Sequence, residues 1–233
     1  MEEIINEIKR QYFSYPILIF VLIVSIFISL TRRKKFKILK YFPIYLLWLL
    51  AVLILNSACL YPNSLCFYLL PFVQYTDYFF TLVELIVFSN FFYRLIKNYS
   101  LKKGIVVINI IFAIYFIYKG VFDVNFYLGI SEATQAKVYT IEAVVLLIIC
   151  LIYFFQLFRD LPFSNLRDEP VFWVSAGVLF FTAGTLPYSL LENYIVTNYF
   201  SFSFSLYSIF YVFYILLFSM IIKAYLCKTK EAT

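Results

Sequence analysis

The sequence predicts an all-α membrane protein: a bundle of seven transmembrane helices with its N-terminus outside and its C-terminus in the cytoplasm. Three observations carry that expectation. Of 233 residues, 64% are hydrophobic and only 14% charged, whereas a soluble domain has ~45–50% and ~25%. That leaves too little polar surface to cover a water-soluble core, and the mean hydropathy of +0.90 agrees. The apolar residues also fall into seven runs, each near the ~20 residues that cross a ~30 Å hydrocarbon layer as a helix. Finally, Lys and Arg gather in alternate connections, the bias that orients a chain in a membrane.

Residues 1–14 form an N-terminal tail. Ile4, Ile5, Ile8 and Tyr12 share one helical face, with Glu2, Glu3 and Glu7 off it. The tail reads either as a short helix lying at the interface or as a frayed polar segment. Its acidic start and the lack of a small-residue cleavage site argue against a secretory signal. Span one covers Tyr15 to Leu30 and runs into six basic residues between Arg32 and Lys40. That cluster is expected as a topology signal, with anionic headgroup binding as the alternative.

Span two, Tyr41 to Ala58, leads through a polar link with Cys59, Pro62, Asn63 and Cys66. On the outer side this link meets an oxidising compartment, which makes Cys59 and Cys66 disulfide candidates. Span three is Phe72 to Leu95, followed by Arg94, Lys97, Lys102 and Lys103 and then span four, Ile105 to Val121. A longer connection, Phe122 to Lys137, precedes span five, Val138 to Phe158. Span six runs from Val171 to Ile195, span seven from Phe204 to Leu226, and residues 227–233 form a cytoplasmic tail. With the first, third and fifth connections inside, fifteen of the 19 Lys and Arg residues face the cytoplasm. Connections this short leave no soluble domain, so residues 15–226 make one transmembrane unit.

The chain has no histidine and four cysteines without CxxC spacing. That removes imidazole-based catalysis and the usual nitrogen and thiolate metal sites. No metal, no cofactor, no nucleic-acid partner and no enzymatic activity are expected. Lys223 lies near the inner end of span seven, so no mid-span lysine offers a retinal Schiff base.

An acid at the centre of a span costs ~2.5–3.5 kcal/mol on insertion scales, so acids there ask for a reason. Asp77, Thr81 and Glu84 fall at i, i+4 and i+7, on one face of span three. Glu84 reads either as a proton- or ligand-binding acid facing the bundle interior or as a hydrogen-bonded tie to a neighbouring helix. Asp77 is placed nearer the outer interface. Glu142 is placed in the first turn of span five, where an acid suits the helix dipole, and Glu192 at the outer end of span six. Asp77, Glu84, Glu142 and Glu192 are therefore the candidate ligand or proton site, with ordinary interfacial acids as the simpler account.

Span six is the most structured run. Asp168 and Glu169 put negative charge at its start, and Pro170 suits the first helical position. Ser175-Ala176-Gly177 recurs as Thr182-Ala183-Gly184, a seam of small residues that lets another backbone come close. Ser175, Thr182, Thr185, Ser189 and Glu192 continue it as a polar stripe. Pro187 lacks an N–H and is expected to kink the helix beside that seam. Gly177, Gly184, Pro187 and Trp173 are the hinge and packing candidates, and no counterpart of Pro187 is expected in the first half. In span seven, Tyr207, Tyr211 and Tyr214 share a face. Their hydroxyls are expected to reach the span-six stripe or the interface.

Glu169-Pro170-x-Phe172-Trp173-x-x-x-Gly177-x-Leu179, opening the sixth of seven spans, resembles a group of uncharacterised bacterial seven-helix membrane proteins. That group is similar to the membrane sensor modules of some histidine kinases. The resemblance implies a place in the bacterial cytoplasmic membrane, a structural role for Phe172 and Trp173, and a sensory function. Since the chain ends about seven residues after span seven, output to a separate cytoplasmic signalling protein is expected. A proton-coupled transporter using Glu84 and an accessory subunit of a membrane complex are the alternatives.

Overall fold

The structure, a computed structural model, describes the backbone at residues 2–32, 38–58, 64–122, 124–125, 129–130, 132–160, 168–198 and 200–227, and the side chains at 15–32, 38–57, 71–122, 134–159, 168–191 and 210–227. Seven helices account for nearly all of it: α1 (Glu2–Thr31), α2 (Phe42–Ala58), α3 (Ser64–Leu95), α4 (Tyr99–Phe122), α5 (Glu132–Asp160), α6 (Pro170–Asn198) and α7 (Phe200–Leu226). Between α4 and α5 lies a two-residue antiparallel pair, β1 (Val124–Asn125) with β2 (Gly129–Ile130). Four stretches are long and apolar enough to cross a membrane: Pro71–Leu95, Tyr99–Phe122, Thr134–Arg159 and Pro170–Leu191. Shorter apolar stretches run through Tyr15–Thr31, Phe42–Ser57 and Phe210–Leu226. The chain is a helical membrane protein. In hydrocarbon every backbone polar group has to be satisfied within the protein, and a helix does this within one segment.

Six of the helices close into a ring in the order α1, α2, α3, α5, α6, α7, with α7 returning against α1. Helix α4 stands outside the ring, packed on α3 and α5. Only 17% of its apolar stretch is buried, against 50% for α3 and for α6. Ile110, Ile111, Ile114 and Ile117 of α4 are exposed, as are Phe20, Phe27 and Phe155 on the ring. In a lipid-embedded chain these side chains meet acyl tails rather than water.

The α6–α7 contact is the most extensive of the bundle, and the small-residue seam explains it. A Cβ at Gly177 would stand 2.9 Å from the Met220 Cβ and 3.2 Å from Leu217 Cδ1, and one at Gly184 would fall within the Phe213 ring. The seam thus serves α7 of the same chain and is not open to another subunit.

Helix α4 is tied to α3 by side chains. The Tyr78 hydroxyl donates to the Phe116 carbonyl at 2.6 Å and its ring stacks on Phe116 at 4.1 Å, while Ser89 donates to Asn109 Oδ1 at 3.0 Å. Gly120 leaves room for that ring, since a Cβ there would lie 3.3 Å from Tyr78 Cε1. Tyr78→Phe keeps the stacking and deletes the hydroxyl, so it is expected to lower stability by ~1 kcal/mol, the usual worth of such a bond. Thermal unfolding in mild detergent measures this, and an unchanged midpoint would show the bond contributes nothing.

At the end away from the start of α1, short polar contacts clip the connections to the bundle. The Arg32 guanidinium donates to the Tyr225 carbonyl at 3.2 Å, the Tyr225 hydroxyl to the Leu39 carbonyl at 2.7 Å, and the Lys97 N–H to Gln156 Oε1 at 3.1 Å. Cations at this end lie over rings: Arg94 over Tyr41 at 5.1 Å, Lys103 over Tyr99 at 4.7 Å and Lys223 over Trp173 at 5.7 Å. Stems buried on aromatic faces with charged tips at the rim are how basic residues settle at a membrane interface.

Several expectations need correction. Helix α5 starts at Glu132, six residues before Val138, so Glu142 sits in its third turn and is buried at 4% exposure. The Glu132–Lys137 segment is polar but made mostly of good helix formers with an acid at the N-terminus. Hydropathy sees only the apolar part of such a helix. Helix α3 likewise begins at Ser64, which places Cys66 inside the helix rather than in a link. Cys59 lies outside the described residues, as does the side chain of Cys66. Helix α1 runs unbroken from Glu2 to Thr31, so residues 2–14 are helical and continuous with the apolar stretch that follows. Pro187 also has counterparts, since Pro16 lies inside α1 and Pro71 inside α3. A proline is tolerated in such helices because neighbours in a bundle re-satisfy the freed backbone groups.

Candidate functional site

The ring encloses a cavity of about 410 Å³. Its lining comes from the starts of the apolar stretches of α1, α3, α5 and α7 and the ends of those of α2 and α6: Tyr15, Gln74, Gln135 and Tyr211 from the former, Asn56 and Ser189 from the latter. Helices α2 and α6 therefore run opposite to the other four, and the cavity occupies one half of the apolar bundle. That half lies opposite the rim of aromatic-capped cations. The three prolines flank lining residues at this level, Pro16 beside Tyr15, Pro71 two residues before Val73, and Pro187 beside Tyr188.

Three of the four predicted acids meet here. Asp77, Glu84 and Glu142 all line the cavity, from α3 and α5. Glu84 is 2% exposed, and one of its oxygens accepts a 2.7 Å hydrogen bond from the Tyr45 hydroxyl of α2. Tyr45 is itself buried, stacked on Phe80 at 5.6 Å and edge-on to Phe88 at 5.3 Å. Asp77 Oδ1 accepts from the Asn56 amide at 2.9 Å, and the Asp77 carbonyl accepts from Tyr139 at 3.4 Å. Glu142 is different: its Oε1 is buried and has no hydrogen-bond partner among the described residues. Glu84 and Glu142 stand close enough to feel each other's charge. The Gln74 Oε1 on the same lining is likewise buried and unpartnered.

Aromatic rings make up much of the remaining wall. Tyr214 packs on Phe181 at 4.5 Å and Phe210 at 5.1 Å, and Tyr211 meets Tyr15 edge-on at 6.0 Å. The Tyr15 hydroxyl donates to the Leu53 carbonyl, tying α1 to α2 at the cavity edge. No lysine or arginine is among the described lining residues.

The other candidates are placed elsewhere or play different parts. Trp173 sits at the opposite end of α6, against Phe172 and beneath Lys223. Gly177 and Gly184 face α7 rather than the cavity. The side chain of Glu192 lies outside the described residues, as does that of Tyr207. Among the described residues, no hydrogen bond joins the polar stripe of α6 to Tyr211 or Tyr214. Thr182 donates to the Val178 carbonyl at 2.8 Å, Thr185 to Phe181 at 2.8 Å and Ser189 to Leu186 at 3.1 Å, each turning back onto its own helix. This local back-bonding is the habit of hydroxyls within a helix. Thr182, Thr185 and Ser189 still line the cavity.

Sequence reasoning missed Tyr45, Asn56, Gln74 and Tyr139. A polar amide within an apolar run was the available signal for Asn56 and Gln74. For Tyr45 and Tyr139 there was none, because 22 tyrosines are spread through the chain and only the folded bundle brings Tyr45 to the Glu84 carboxyl and Tyr139 to the Asp77 carbonyl. Among the described residues no group of three or more acidic or cysteine side chains is arranged to hold a metal ion. Comparison with known proteins finds no matching family, no similar curated protein and no similar solved structure.

Proposed function

We propose that the chain is a seven-span receptor of the bacterial cytoplasmic membrane, with its N-terminus outside. It binds a small ligand in the outer half and signals to a separate cytoplasmic protein. The observation that supports it best is the cavity. It is walled by six helices that close on themselves, is of a size typical of small-molecule sites (~300–1,000 Å³), and lies in the half away from most basic residues. A ligand held there touches α5, α6 and α7 together, and a shift among them reaches the connection after α5 at the other face. Prolines at cavity level in α1, α3 and α6 weaken three helices where movement would begin.

Tags at Met1 and Thr233 test the orientation. The first is expected to be reached by a membrane-impermeant label on intact cells and the second only after permeabilisation. Labelling in the reverse order overturns the assignment of outer and inner halves. Capture of a cytoplasmic kinase or regulator by the tagged chain from its native membranes tests the signalling role, and a genomic neighbourhood without any signalling gene would argue strongly against it.

A proton-coupled transporter is the second reading, favoured by the buried Glu84 and by prolines in both halves. Vesicles carrying the chain and a pH-sensitive dye separate the two. Solute-driven proton movement that Glu84→Gln abolishes would establish transport and remove the receptor. An accessory subunit has less support, because the seam it would use is filled by α7.

A further inference from the structure

We infer that the cavity takes an organic monocation, an ammonium group carried on an apolar body, with the charge seated between Glu84 and Glu142. This deepens the receptor reading and rests on it only for what binding achieves, not for whether binding occurs.

The argument starts from Glu142. It is 4% exposed, lines the cavity and has an oxygen with no donor. A buried carboxyl oxygen left unmatched costs ~1–3 kcal/mol or more. Nothing in the described chain repays this, since the lining offers no lysine or arginine. Glu84 lines the same cavity, within electrostatic reach, and accepts from the Tyr45 hydroxyl. Two carboxylates so placed repel, and a cation between them turns that repulsion into attraction on both sides. Asp77 adds a third acid to the same wall.

The rest of the wall decides which cation. Metal ions of the Ca²⁺ and Mg²⁺ kind take about six to eight oxygen ligands, and no group of three acidic or cysteine side chains is arranged for one among the described residues. The walls are instead rings, with Phe181, Phe210, Tyr211 and Tyr214 grouped on the α6–α7 side. Aromatic faces attract ammonium groups and accept the apolar body attached to them. A volume of about 410 Å³ exceeds what a bare ion needs and suits a small amine. The Gln74 oxygen adds an acceptor for an N–H or hydroxyl of the ligand.

The test compares benzyltrimethylammonium with neopentylbenzene, its uncharged carbon isostere, on the purified full chain in nanodiscs. Equilibrium dialysis measures binding, and thermal unfolding gives a second readout. The ammonium compound is expected to bind at least tenfold more tightly. Glu142→Gln is expected to weaken it tenfold or more and to change neopentylbenzene binding far less. If that variant fails to fold, Glu84→Gln replaces it, because its amide oxygen still accepts from Tyr45. Equal binding of the two probes overturns the inference, as does ammonium binding that ignores both substitutions. Displacement of the ammonium compound by millimolar Na⁺ or Ca²⁺ at constant ionic strength, with saturation, assigns the site to an inorganic ion and also overturns it. These arms need no partner protein. Absence of signalling would therefore remove the receptor and leave the ligand class standing, whereas a neutral ligand with intact signalling would do the opposite.

Discussion

Gly184→Leu is expected to prevent recovery of folded, monodisperse protein in mild detergent. Even the first carbon of the new side chain would fall within the Phe213 ring, at the closest part of the α6–α7 contact. Phe213 is partly buried and packed against the bundle core, so moving its ring aside gives up contacts there. Overpacking a well-filled interior by a methylene or two typically costs ~1–3 kcal/mol, and a leucine adds four carbons. The smaller change Gly184→Ala gives a graded version, expected to lower the unfolding midpoint clearly while still folding. Combining Gly184→Ala with Phe213→Ala should recover much of that loss, because the obstruction is removed. An unchanged midpoint for Gly184→Ala, or a double variant no better than the sum of its parts, would show that this contact does not limit stability. Gly177→Ala should act in the same direction, since its Cβ would stand 2.9 Å from the Met220 Cβ, which the α7 backbone holds in place.

The second large effect concerns the acid at the centre of the bundle. Tyr45→Phe keeps every ring contact with Phe80 and Phe88 and removes only the hydroxyl that donates to Glu84. A buried acid then loses its partner, at a cost of ~1–3 kcal/mol. Glu84→Gln should cost less, because the amide oxygen accepts the same bond. Glu84→Leu should cost more alone than in the Tyr45→Phe background, where no hydroxyl is stranded. Unfolding midpoints of the two single variants and the double variant give the coupling directly. Strict additivity would mean that Tyr45 and Glu84 do not hold α2 to α3, and the site would then need a different account.

Much of the secondary structure was legible because lipid imposes it. An apolar run of about twenty residues has one stable form there, and Pro170 after two acids marks where α6 begins. Errors fell where helices outrun their apolar stretch. Residues 132–137 and 64–70 are helical for reasons of propensity and tertiary support that a hydropathy window cannot register. Asp77 and Glu84 were identifiable as acids out of place on one face of α3. Glu142 was grouped with them, but its burial was not legible, because a helix thought to start at Val138 left it near the interface.

A helical membrane protein, its candidate inward-facing acids and the small-residue edge of α6 are readable from residue order, being properties of one helix at a time. Which helices are neighbours is fixed by the packed bundle. Exclusion of α4 from the ring, the closure of α7 on α1, the meeting of Glu84 and Glu142 at one cavity and the bond from Tyr45 to Glu84 depend on shape matching between distant segments. Apolar surfaces attract lipid tails as readily as each other. Composition therefore cannot choose partners within a bilayer, and that choice falls to close fit and a few buried hydrogen bonds.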